Sequence, residues 1–68
     1  MKIFAERIQE LREERNLSQY QLAKATGLSQ TGIAHWENMQ RTANIKALVI
    51  LADFFEVTTD YLLGRTDE

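Results

Sequence analysis

Apolar residues recur at intervals of three and four along most of the chain, and residues that start or stop helices stand between the runs. That spacing specifies helices and argues against half-buried strands, which need strict alternation. Phe4, Ile8 and Leu11 make a first stripe that ends near Asn16, a residue type that tolerates the left-handed conformation of a helix stop. Ser18 caps a second helix, Gln21 completes a capping-box pattern, Leu22 and Ala25 face inward, and Gly27 ends it. Ser29 caps a third helix, Asn44 a fourth over 45–55, and Thr58 a short fifth over 59–63. With no proline, repeat or low-complexity stretch, residues 1–68 are expected to form one all-α domain of five short helices.

A single core in 68 residues is only marginally self-sufficient, so oligomerisation is expected from the outset. The absence of cysteine removes disulfides and thiolate metal sites, and the one histidine cannot hold zinc alone, so no metal or cofactor is implied. The longest apolar run, "ALVILA" at 47–52, is far short of the ~20 residues of a membrane span, and no secretion signal is visible, so a reducing cytoplasmic setting is expected.

A net charge of −2 argues superficially against a polyanionic partner. Its distribution says otherwise. Residues 15–46 carry Arg15, Lys24, Arg41 and Lys46 against Glu37 alone, while the rest of the chain carries four cations against nine carboxylates. The middle is locally basic, as suits a small protein that meets a polyanion with one face. In the third helix, Ile33 and Trp36 point one way, while Gln30, Thr31, Ala34, His35 and Asn38 fan out on the other. A face built only for solvent more often carries Lys and Glu. Amides, hydroxyls and an imidazole instead donate and accept at short range, as base edges require, and alanine offers a methyl group to thymine.

The segment "QYQLAKATGLSQTGIAHWEN", residues 19–38, resembles the helix-turn-helix of the lambda-repressor/Cro-like (Xre) family. Alanine stands at its fifth position (Ala23), glycine at its ninth (Gly27), and apolar residues at the fourth, tenth, fifteenth and eighteenth (Leu22, Leu28, Ile33, Trp36). "LREERNLSQ" before it and "VTTDYLLG" after it are similar to the family's first and last helices, so the likeness covers nearly the whole chain.

The resemblance implies sequence-specific binding of double-stranded DNA by a transcriptional regulator, a repressor acting as a homodimer on a palindromic operator, with no enzymatic activity. It places Gln30, Thr31 and His35 in the major groove, with Ala34 against the bases. Phosphate contacts are implied for Gln19, Ser29, Gly32, Asn38, Gln40 and Arg41. Arg12, on the apolar side of the first helix, and Glu37, at the inner edge of the third, would each be costly if buried alone, so a mutual ion pair is expected, as the family has there.

Two departures stand out. Met39 and Ala43 occupy positions where relatives commonly have glycine and proline, and Ile50 and Phe54 occupy positions that are more often polar. The inward stripe of the fourth helix is filled by Leu48, Leu51, Ala52 and Phe55, so Ile50, Phe54, Val57 and Tyr61 are expected to lie outside the core and form a two-fold interface. The competing reading is a protein-interaction module, such as an antitoxin or accessory factor, with DNA secondary. The serines are accounted for by capping, and neither a nucleophile–base pair nor a phosphate loop is visible, which leaves an enzyme with no machinery.

Overall fold

The structure, a computed structural model, describes residues 2–67, and five helices follow in order: α1 (Lys2–Glu14), α2 (Gln19–Thr26), α3 (Gln30–Glu37), α4 (Ile45–Phe55) and α5 (Thr59–Leu62). Four of them start on caps that use the side chain. Ser18, Ser29, Asn44 and Thr58 all sit in extended backbone, and each accepts the N–H three residues on. At Ser18 the box is complete, since Gln21 Oε1 accepts the Ser18 N–H at 2.8 Å and Ser18 Oγ accepts the Gln21 N–H at 3.0 Å.

One core joins the helices. Phe4 and Ile8 from α1, Leu22 and Ala23 from α2, Ile33 from α3, Leu51, Ala52 and Phe55 from α4, and Leu62 from α5 are buried together. Each large side chain removed from water contributes roughly 1.5–3 kcal/mol, which is what holds helices too short to persist alone. α3 rests on both α1 and α2, so its inner side is fixed from two directions.

Three expectations are corrected. Ala25 is exposed, because α2 lies against both α3 and α4 and its inner side runs through Leu22, Ala23 and Thr26. On α4 it is Ala47 that joins Leu51, Ala52 and Phe55 among the buried residues, while Leu48 is half-buried beside Phe4, Ala43 and Leu63. Phe54, Val57 and Tyr61 are half-buried and packed against the core, not outside it, and Ile50 is half-buried along a groove beside Leu28 and Trp36. Arginines account for part of this cover. Arg15 stands 5.2 Å from the Phe54 ring centre and donates to the Phe54 and Phe55 carbonyls, and Arg7 lies 4.2 Å over the Tyr61 ring while donating to the Tyr61 and Thr66 carbonyls. The openly exposed apolar residues of α4 are instead Ile45, at 81%, and Val49.

Helix stops are equally specific. Asn16, Met39 and Glu56 have positive φ, and at each the stop residue and its successor donate to carbonyls of the last turn; Met39 N–H reaches Trp36 O at 3.2 Å and Gln40 N–H reaches His35 O at 2.9 Å. A left-handed conformation costs an L-residue with a Cβ roughly 1–2 kcal/mol, partly offset in glycine by its greater unfolded freedom. Met39→Gly should therefore stabilise the domain by ~0.5–1 kcal/mol, about 4 °C in Tm. Calorimetry checks this, and a lower Tm would mean that the Met39 side chain contributes packing its exposure does not suggest.

Candidate nucleic-acid interface

Because the core and α1 hold Ile33 on one side of α3, the opposite side is left to solvent. Gln30 and Thr31 are exposed at its first turn, Ala34 and His35 are half-buried, and Asn38, Gln40 and Arg41 follow as exposed residues. The sequence-derived reading and backbone-contact residues of α3 thus share one flank of the molecule with its exit loop. The turn between α2 and α3 depends on Gly27, whose φ of 77° closes α2 with an N–H bond to Ala23 O.

Arg12 and Glu37 anchor the arrangement from below. Arg12 Nε and Nη2 donate to Glu37 Oε2 and Oε1 at 2.7 and 2.9 Å, a two-pronged contact with side-chain exposures of 12% and 4%. A third Arg12 donor, Nη1, reaches Leu17 O at 2.8 Å. The hydrogen bond to Glu37 raises the Arg12 pKa above its ordinary value, against the opposing effect of burial. The pair ties α1 to the C-terminal end of α3.

Gln19 belongs to the same cluster, a link that nothing in the sequence signals. Its Nε2 donates to Glu37 Oε1 at 3.1 Å, so one of the two amide hydrogens expected to serve a phosphate is used internally, and the side chain is held at the start of α2. Ser29 is likewise engaged, its Oγ accepting the Gly32 N–H at 3.1 Å, which leaves the hydroxyl hydrogen and one lone pair for an outside partner.

The space beside Gly32 is filled by its own helix. A Cβ there would stand 3.3 Å from Trp36 Cζ2 and 3.6 Å from Ser29 Cβ, so the missing side chain makes room for the indole. That offsets the ~1 kcal/mol a mid-helix glycine costs. Of the cations counted as basic surface, Arg15 is turned onto the α4 C-terminus; Lys24, Arg41 and Lys46 are exposed. Among the described residues no cluster of His, Cys, Asp and Glu is arranged to hold a metal, and no helix is long and apolar enough to cross a membrane.

A small helical domain with a capped, glycine-turned helix pair and an uncharged polar face on the second helix defines a helix-turn-helix protein. The chain belongs to the helix-turn-helix family, whose profile matches residues 8–62, in its lambda-repressor/Cro-like form. It is 42% identical over 61 residues to the HTH-type transcriptional activator BcrR of Enterococcus faecalis, covering 90% of this chain and 30% of that protein. It is 38% identical over 63 residues to the control protein C.SmaI of Serratia marcescens, covering 93% and 75%. The structure of the P22 c2 repressor in complex with a synthetic operator superposes with a TM-score of 0.82 at 29% identity, covering 91% of this chain and 94% of that one. The HTH-type regulator AnsR of Bacillus subtilis is 38% identical over 60 residues, and the chain spans 52% of its length. The chain thus spans from under a third to about half of two of these relatives.

Proposed function

We propose that the chain is a sequence-specific DNA-binding transcriptional regulator of the cytoplasm, repressing by occupying a palindromic operator as a homodimer. α3 enters the major groove, with Gln30, Thr31, Ala34 and His35 against base edges. Gln19, Ser29, Gly32, Asn38, Gln40 and Arg41 lie along the backbone. The observation that carries this reading is the exposed, uncharged, hydrogen-bonding start of α3 on a helix whose other side is locked to the core and, through Glu37, to α1. The operator complex of the P22 c2 repressor, a chain of the same fold, supports it.

Dimerisation follows from size, since one such domain covers half a site and pairing makes the second half's binding effectively intramolecular. Ile50, Phe54, Val57 and Tyr61 are proposed to border the two-fold interface with the edges their packing leaves free, setting the α3 helices roughly 34 Å apart.

Selection of DNA by the purified protein from a random pool, followed by titration of the selected site across salt, tests the reading. A two-fold symmetric site with steeply salt-dependent affinity is expected. Absence of salt-dependent binding would favour the protein-interaction module instead. Arg41→Ala should weaken binding to all sequences alike and reduce the slope of log affinity against log salt by ~1. An unchanged slope removes Arg41 from the phosphate contacts.

A further inference from the structure

The polar groups around the groove between α3 and α4 are unevenly used. Ser29 Oγ accepts from Gly32 N–H at 3.1 Å, Asn44 Oδ1 accepts from Ala47 N–H at 2.8 Å, and Thr26 Oγ1 accepts from Leu28 N–H while donating to Leu22 O. Capping and turn formation thus use one lone pair of each of these oxygens. What stays free is a set of donors: the Ser29 hydroxyl hydrogen, the Asn44 amide hydrogens, the exposed ammonium of Lys46 and the indole N–H of Trp36. Among the described residues neither Lys46 nor the indole N–H has a partner. No side-chain nitrogen or oxygen of the described residues that is sealed from solvent lacks one, so the indole N–H of the half-buried Trp36 reaches water. Gly32 permits this placement, because its bare Cα admits the Cζ2–Cε2 edge of the ring.

We propose that this groove seats a DNA backbone phosphate, held by the Trp36 indole N–H and the Lys46 ammonium; the inference rests on the DNA-binding reading above. A phosphodiester offers acceptors, no donor and one negative charge, which matches a lining of free donors with one cation. A peptide segment would bring N–H donors, which neither the Lys46 ammonium nor the indole N–H can accept. Ser29 borders both the groove and the first turn of α3, so a phosphate there flanks the bases that Gln30 and Thr31 face.

The test uses the full chain, a non-specific duplex as probe, and two variants. Trp36→Phe keeps a ring in the core and deletes the donor; it should weaken binding about 5-fold at every salt concentration with an unchanged salt slope, because no charge is lost. Lys46→Gln, at an exposed position that leaves the fold intact, should weaken binding and lower the slope by ~1. Affinities are read well below each variant's Tm, so a loss of stability in Trp36→Phe does not enter. Equal affinity in Trp36→Phe, or an unchanged slope in Lys46→Gln, overturns the proposal. The fluorescence of Trp36, the only tryptophan, should respond to duplex and not to millimolar inorganic phosphate. A response to inorganic phosphate with duplex affinity indifferent to Trp36→Phe would make the groove a free-anion site and overturn it too. Failure of the wild-type chain to bind duplex at low salt strikes the DNA-binding reading itself, whereas tight wild-type binding with unaffected variants strikes only this groove.

Discussion

Arg12→Ala should destabilise the domain by ~3–5 kcal/mol, because it strands the Glu37 carboxylate, whose side chain is only 4% exposed, with a single remaining donor, the Gln19 amide. For a domain whose whole stability is of the order of 5–15 kcal/mol, that is a large fraction. Glu37→Ala should cost less, since Arg12 keeps its bond to Leu17 O and its longer stem can carry the guanidinium toward solvent. Replacing both by apolar residues of similar volume should recover most of the loss, because the penalty lies in the unpaired charge more than in the missing attraction. Urea denaturation with an unchanged m-value measures all three. A single-variant loss below ~1 kcal/mol would show that water already reaches the pair. The raised pKa of Arg12 has a definite sign. A group held more tightly protonated in the fold contributes fully below its unfolded value and loses that contribution only as pH climbs through the folded one, so the guanidinium adds no pH dependence near neutrality. The same variants should also weaken DNA binding, since Glu37 orients Gln19 at the start of α2.

Gln30→Ala should cost ~1–3 kcal/mol on the selected site and relax the base preference at one position of each half-site. An amide can read adenine through both of its hydrogen-bonding groups, and Gln30 is exposed immediately after the Ser29 cap, where a major-groove helix presents its first side chain. Affinity for random DNA should stay nearly constant, so the specificity ratio falls by the whole loss. Equal losses on both kinds of DNA would assign Gln30 to the backbone contacts and leave base reading to Thr31 and His35.

The boundaries of the helices were legible because they are local chemistry. Ser18, Ser29, Asn44 and Thr58 cap within three residues of themselves, and any chain with those residues at the head of an apolar period would do the same. The exposed start of α3 was legible for a related reason, since a helix carrying Ile33 on one side must turn Gln30 and Thr31 away from it. The rest required distances between residues remote in sequence. Ala25 and Ala23 look equally suited to burial until α2 is placed against α3 and α4. Phe54 looks like surplus apolar surface until Arg15 arrives from 39 positions away to cover it.

By itself, the sequence determined an all-helical chain with an uncharged polar face on its third helix, because caps, stops and the 3.6-residue period act over one or two turns, and its resemblance to the lambda-repressor/Cro-like family marked the helix-turn-helix at 19–38. Only the tertiary structure decided that Gln19, Glu37 and Arg12 form one cluster and that Arg7 and Arg15 cover Tyr61 and Phe54. Each of these depends on how two or more helices cross, and crossing is set by the shape of the shared core, which no single helix encodes.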